Sequence, residues 1–405
     1  MIAEQLTHKG AEYLHKLSQD IPNRRTGSPG NRAATEFFAG EVAAAGFSVE
    51  TPEFECLDWV QNGALLRVGE EPYVVQVSPY SLGCQVRAEL AVVSTLEELE
   101  EADVGGKVLL LRGEIAKEQL MPKNFPFYNP EEHQHIIGLL ESKSPLAIVA
   151  ATSENPEMAG AVAPFPLFED GDFDIPSVYL GEMQSVHLAR HAGEVLSLEI
   201  RAHRSPARGC NVIARKGDLH RRVVLFAHID AKDGTPGAID NAGGAVVLLI
   251  LAELLEGYTG ELGVELVAMN GEDYYSSPGE QLYLHLNEGR FNEILLGINI
   301  DGAGYTKGKT AFSLYSCPAE LDQVIREALS AYPGLLEGEP WYQGDHGLFL
   351  YNQRPALALT SERVLELEQN YVHSMNDTTE IVDPAKLAEL ALALHNLITL
   401  LDRVL

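Results

Sequence analysis

Residues 223–255, VVLFAHIDAKDGTPGAIDNAGGAVVLLILAELL, constrain the fold more than any other stretch. The segment opens as an unbroken apolar run, which reads as a buried strand, and closes as a helix with apolar positions on nearly every turn. Between them lies a loop bearing Gly and Pro, with polar residues at both ends. His228 and Asp230 fall at the end of the strand, and Asp240-Asn241 fall just before the helix. In an α/β sheet that is the carboxyl edge, where ligands are usually bound. The types and spacing are those of half a metal site. His228 supplies an imidazole nitrogen, Asp230 can hold and polarise that imidazole, and Asp240 has two oxygens able to bridge two cations. Any one of these residues alone reads equally as a capped strand end, so their weight comes from company.

Composition narrows the context. A chain of 405 residues is long enough for two domains. Its 59 acidic and 29 basic side chains give a formal charge of −30, a field that repels nucleic acid and anionic membrane surfaces and suits cations and amine-bearing substrates. The polar N-terminal sequence has no secretory apolar core, and no run is expected to reach the length of a membrane span. Cys56, Cys84, Cys210 and Cys317 are widely separated and form no CxxC pair, so they are expected to be reduced thiols of a cytoplasmic protein.

The periodicity predicts helices over 3–19 and 31–45, then an alternating strand FSVETPEFE. Residues 58–205 change character: short strand patterns such as AELAVVS, KVLLLRG and LAIVAAT, many turns and few helices. They read as a β-rich domain inserted into a first domain made of 1–57 and 206–405. His133-Gln134-His135 lies within it and reads as chance histidines on an exposed loop, since nothing nearby completes a ligand set. From residue 209 onward, strands GCNVIARK, VVLFAHID, GVELVAMN, ILLGINID, TAFSLYS and PALALTS alternate with helices near 242–256, 278–287, 318–332 and 384–403. The expectation is an α/β fold, a three-layer α/β/α domain on a mixed, largely parallel sheet.

Those later strands deliver more polar groups to the same edge. GVELVAMN runs into Gly271-Glu272-Asp273; adjacent carboxylates repel unless a cation intervenes, which suits Asp273 as a ligand and Glu272 as a base over a bound water. ILLGINID ends on Asp301 beside Gly302-Ala303-Gly304, and Tyr371-Val372-His373-Ser374 follows PALALTS. Jointly these sites form a strong signal.

The motifs HIDAKDGTPGAIDN, NGEDYYSSPGEQLYL, NIDGAG, GDHGLF and YVHSMNDT, in this order, resemble the M28 family of zinc metallopeptidases, and VGGKVLLLRGEI with DIPSVYLGEMQSVHL is similar to a protease-associated domain. The resemblance implies two divalent metal ions, zinc foremost, with cobalt or manganese compatible with the same ligands. It implies that His228 and Asp301 hold one ion, Asp273 and His373 the other, and Asp240 both, with Asp230 orienting His228 and Glu272 as general base. The implied activity is that of an exopeptidase acting on peptides, an aminopeptidase foremost, with self-association left open. A carboxypeptidase or dipeptidase of the same family, a glutaminyl-cyclase-like acyltransferase and a non-catalytic binding protein are the alternatives. The chain departs from the family pattern twice: Asp273 stands where many members have Glu, and Val372 where many have a Tyr that bonds the oxyanion. That role is left to Tyr371, Tyr305 or an ion. His346 in GDHGLF reads as a structural hydrogen bond or a substrate contact. A C-terminal carboxylate would need Arg or Lys; the motifs offer Lys232, expected to face away, and Arg354 and Arg363 flank PALALTS.

Overall fold

A computed structural model describes residues 2–21, 23–153, 165–341 and 344–404, and the chain divides into two compact units, 1–56 with 208–405 and 57–207. In the first unit eight strands form one sheet: β1 Ser48–Glu50, β2 Val212–Lys216, β3 Asp218–His228, β4 Leu262–Met269, β5 Ile294–Ile300, β6 Thr310–Tyr315, β7 Leu335–Glu337 and β8 Ala356–Ser361. Their spatial order is β1-β2-β4-β3-β5-β8-β6-β7. The four central strands β4, β3, β5 and β8 are mutually parallel, while β2 and β6 run antiparallel to them.

The layers follow from the two-residue period of the strands. Along β3, Val223, Leu225 and Ala227 enter one core, and Val224 and Phe226 enter the other. The larger core is closed by α1 Ile2–His15, α2 Pro29–Ala44, α3 Gly243–Leu254, α5 Ala319–Ser330 and α6 Pro384–Val404; on the opposite face Tyr283, from α4 Pro278–Leu286, packs with Leu348 and Phe349. Helix α3 has no polar face because it is covered all round: its first ten residues are buried. The helix α6 revises one expectation, since its 21 residues are long and apolar enough by composition to cross a bilayer. In the fold that surface goes to the core, where Leu387, Leu390, Leu394, Leu397 and Leu401 are buried.

The second unit carries its own eight-stranded sheet. The strands 84–93, 108–111, 147–152 and 177–181 run parallel to one another, and 195–200 pairs antiparallel with 84–89. The histidine pair is not on a loop. Residues 131–143 form a helix in which His133, Ile136, Ile137 and Leu140 are buried, and the His133 ring nitrogen Nδ1 accepts a hydrogen bond from the Met121 amide at 3.1 Å. His135 instead contacts Glu100 at 2.9 Å on the surface. The four cysteines are not joined in disulfides.

Candidate active site

The carboxyl ends of β3, β4 and β5 bring their polar residues together. After β3, the Ile229 amide still donates to the Met269 carbonyl, so the chain leaves the sheet only at Asp230. After β5, the Asp301 amide bonds the Leu359 carbonyl of β8. Asp240 follows Gly237, whose φ of +59° and crowded surroundings explain the glycine: a Cβ there would lie 2.7 Å from the Ala231 Cβ, the Arg24 guanidinium and the Asp240 carbonyl. His373 is itself left-handed, at φ +57°, in the loop between 364–370 and α6. Asn241, after a cis Asp240–Asn241 peptide, donates to the Ile300 carbonyl and accepts from the Gly244 amide, which ties the start of α3 to β5.

The convergence is close. His228 Nε2 lies 2.9 Å from Asp240 Oδ1 and 3.8 Å from Asp301 Oδ2. His373 Nε2 lies 3.1 Å from Asp240 Oδ2 and 3.0 Å from Asp273 Oδ1. Asp240 thus turns one oxygen to each histidine. His228, Asp240 and Asp301 form one group, and Asp240, Asp273 and His373 another, each with ligand atoms within 4.8 Å of one another; His228, Glu272 and Asp273 make a third. The short contacts are not hydrogen bonds throughout. Both His228 ring nitrogens and both Asp273 oxygens are buried without a hydrogen-bond partner. Orphaned lone-pair-bearing atoms of this kind, from imidazole and carboxylate, are what a pair of divalent cations would satisfy. The residues present therefore fit two ions, with Asp240 common to both.

Electrostatics agree. Burial and its neighbours Asp273, Asp345 and Asp301 push the Glu272 carboxyl well above the ordinary range, against the pull of His228. Burial likewise lifts Asp301 to about 7, with Asp240, Asp345 and Asp273 adding to it and His228 opposing. Burial penalises charge on the histidines, but Asp230, Asp240 and Glu272 outweigh it at His228, and Asp273 and Asp240 at His373, so both are raised well above the ordinary imidazole value. Asp240 ionises readily in spite of burial because His228 and His373 both lie against its oxygens and favour the charged form. A cluster with this excess of carboxylates binds protons or cations.

Several positioning residues lie far away in sequence. The Thr26 hydroxyl donates to Asp230 Oδ2 at 2.8 Å, while Asp230 Oδ1 lies 3.7 Å from His228 Nδ1. Asn31 and Asn270 exchange amide hydrogen bonds at 2.8 and 3.0 Å, and Asn211 receives the Asn270 amide, fixing the end of β4 just before Glu272. Arg24, 2% exposed, gives its guanidinium to four backbone carbonyls, those of Leu17, Ile229, Pro236 and Gly237, at 2.7 to 2.9 Å. Asp377 accepts from the amides of Ile239 and Asp240 at 2.6 and 3.1 Å. A Thr and an Arg in a turn-rich N-terminal loop carry no local signal of such roles; the motif TGSPGN was the available hint.

Other expected participants fall elsewhere. The Tyr305 hydroxyl donates to Glu366 at 2.8 Å, and the Tyr371 ring packs 5.8 Å from that of Tyr305. His346 is buried between Tyr315 and Trp341 and contacts the Trp341 carbonyl at 2.9 Å, a structural placement. Arg354 is committed to the Ile294 carbonyl and Arg363 to Glu366. Lys232 does not face away: its Nζ donates to the Asp273 carbonyl at 3.0 Å and lies 3.9 Å from Asp273 Oδ1. The tight loop after Asp230 turns it inward.

The fold and site define a three-layer α/β/α protein whose cluster of His and Asp residues, at the carboxyl edge of its parallel strands, fits two cations. Residues 211–398 match the sequence profile of peptidase family M28. It is similar to a probable leucine aminopeptidase 2 of Aspergillus oryzae, 24% identical over 72% of this chain, and to a probable lipoprotein aminopeptidase of Mycobacterium tuberculosis, 23% identical over 58%. The chain spans 58% and 47% of the length of these curated relatives. Among solved structures it resembles an aminopeptidase from Aneurinibacillus sp. strain AM-1, with TM-score 0.73, 20% identity and coverage of 97% of this chain and 93% of that one. A zinc aminopeptidase from Bacillus subtilis superposes with TM-score 0.73 at 16% identity, covering 97% and 94%.

Proposed function

We propose that the protein is a zinc-dependent aminopeptidase that hydrolyses the N-terminal peptide bond of peptides. The observation that carries this reading is the joint convergence of His228, Asp240, Asp273, Asp301 and His373 with Glu272 beside them. Relatives and structural neighbours described as aminopeptidases support it, and the Bacillus subtilis neighbour, a zinc enzyme, supports the metal. His228, Asp301 and Asp240 would hold one ion, and Asp273, His373 and Asp240 the second. Bound there, the ions would lower the pKa of a water and polarise the scissile carbonyl. Asp230, fixed by Thr26, orients His228. Glu272, partly exposed among buried neighbours and with its carboxyl raised, is suited to take the water's proton and to return it to the leaving nitrogen.

The end of the peptide that is read follows from charge. A free α-ammonium is attracted by Glu272, Asp273 and Asp301, while Arg354 and Arg363 are both tied elsewhere and supply no fork for a terminal carboxylate. That Cys56, Cys84, Cys210 and Cys317 are not joined in disulfides supports a reducing, cytoplasmic setting. The test is hydrolysis of an aminoacyl-arylamide, its N-acetylated counterpart and a C-terminally amidated dipeptide. The reading predicts cleavage of the first and third, suppressed by chelation, and none of the second. Equal cleavage of the acetylated substrate would overturn it.

A further inference from the structure

The helix 364–370 runs directly into the turn that carries His373. The Tyr371 and Val372 amides both donate to the Leu367 carbonyl, and Ser374 closes the turn by giving its amide and hydroxyl to the Tyr371 carbonyl. Two carboxylates on this helix fare differently. Glu366 takes the Tyr305 hydroxyl, Lys307 and Arg363, so the cations on its side are committed. Glu368 is half-buried, and among the described residues nothing donates a hydrogen bond to it or forms an ion pair with it. The charged group that acts on it is His373, whose Nε2 is turned to Asp240 and Asp273. A bare carboxylate is disfavoured here on two counts. Burial penalises its charge, and it sits in the last turn of a helix, at the negative end of the dipole, where no basic residue accompanies it.

We infer that Glu368 is a specificity-determining residue, which receives the cationic side chain of a lysine or arginine at the N-terminus of the peptide. The inference rests on the aminopeptidase reading and names its substrate class. Such a substrate brings two cations to the site. The α-ammonium is drawn to Glu272, Asp273 and Asp301 at the ends of β4 and β5; the carboxylate beside His373 is left for a charge carried at the end of a side chain. The apolar part of that side chain has a surface to lie on. Leu365, one turn back on the same helix face, is 67% exposed, and Met375, two residues past His373, is 70% exposed. Lysine and arginine are held in this way, with the aliphatic stem along apolar surface and the charged head on a polar group. A leucine or methionine in the same place would leave the half-buried carboxylate without a partner, so the charge selects against them as well as for the basic residues. The helix is fixed to the His373 turn by its own backbone bonds, which puts the carboxylate in place before the substrate arrives.

The experiment measures kcat/KM on lysyl- and norleucyl-arylamides, which differ only by the side-chain ammonium, for zinc-loaded wild type, Glu368→Gln and Glu368→Lys, with zinc content determined for each. The expectation is that wild type prefers the lysyl substrate by about tenfold or more, the scale of one hydrogen bond to a charged group. The preference should disappear in Glu368→Gln and reverse in Glu368→Lys, with two ions bound in all three proteins. Added salt should shrink the wild-type preference, because the pair is only half-buried. A wild type that takes the norleucyl substrate as well as the lysyl one, or better, would overturn the inference. A Glu368→Gln protein that keeps the wild-type ratio would overturn it too, and one that loses an ion would make Glu368 a support for His373 instead. Failure of the zinc-loaded wild type on both arylamides would overturn the aminopeptidase reading, and the inference with it.

Discussion

At the scale of single residues, chemistry and scaffold are divided between neighbours. Glu272 and Asp273 are adjacent, yet one has the raised carboxyl of a base and the other both oxygens buried and unpartnered. Glu272→Gln keeps shape and removes basicity, so kcat should fall by about 10²- to 10⁴-fold with both ions retained, read by steady-state kinetics and elemental analysis; loss of an ion would make Glu272 a ligand. Arg24 serves the site without touching it. Arg24→Met would leave four buried carbonyls without a donor, a cost of roughly 3 kcal/mol or more, measurable by urea unfolding; an unchanged midpoint would contradict that role. Glu280, 8% exposed, sets a pH dependence. Burial, with Glu272 and Asp230, lifts its carboxyl to about 7 even though Asp345 and Ser277 bond it. The folded state therefore holds this proton more tightly than the unfolded chain, where a Glu ionises near its ordinary value of about 4.3. Stability from this group is complete below that value and is lost as pH rises to about 7, on the order of 3 kcal/mol in all. In chelated protein, Glu280→Gln should gain on the wild type across that interval and hold a constant advantage above it. A difference that does not vary with pH would contradict the assignment.

At the scale of elements, the site is a set of strand ends, and that is why so much of it was legible. His228, Glu272, Asp273 and Asp301 each follow an apolar run that can only be a buried strand, and the period of those runs placed β3, β4 and β5 with little ambiguity. What local sequence lacked was distance. Thr26 and Asp230 meet across 204 residues, and Arg24 reaches Gly237 across 213; no spacing rule connects a turn in the N-terminal segment to a loop after β3. Lys232 failed for a different reason, because a loop of Gly and Pro does not declare which way a long side chain turns. The helix 131–143 was hidden by its own histidine: His133 fills a core position in the i, i+3, i+4, i+7 series with Ile136, Ile137 and Leu140, and so breaks the apolar pattern. The loop between β3 and α3 is correspondingly intolerant. Gly237→Ala adds a Cβ 2.7 Å from three atoms in a left-handed backbone, and should displace Asp240 and weaken binding of both ions together, read by zinc titration; tight binding of even one ion would show that Asp240 is not shared.

At the scale of the whole chain, a formal charge of −30 and a buried knot of carboxylates both oppose folding without cations. Ion binding should then appear as stability: at a free concentration a hundred times the dissociation constant, each ion adds about 2.7 kcal/mol. Thermal unfolding should shift upward on adding zinc and return on chelation, and a melting temperature indifferent to both would contradict the coupling. The central claim, that one carboxylate unites two ion sites, is tested most directly by anomalous diffraction from zinc-soaked crystals. The account predicts two peaks, one among His228, Asp301 and Asp240 and the other among Asp273, His373 and Asp240; no peak, or a single peak away from Asp240, would contradict it.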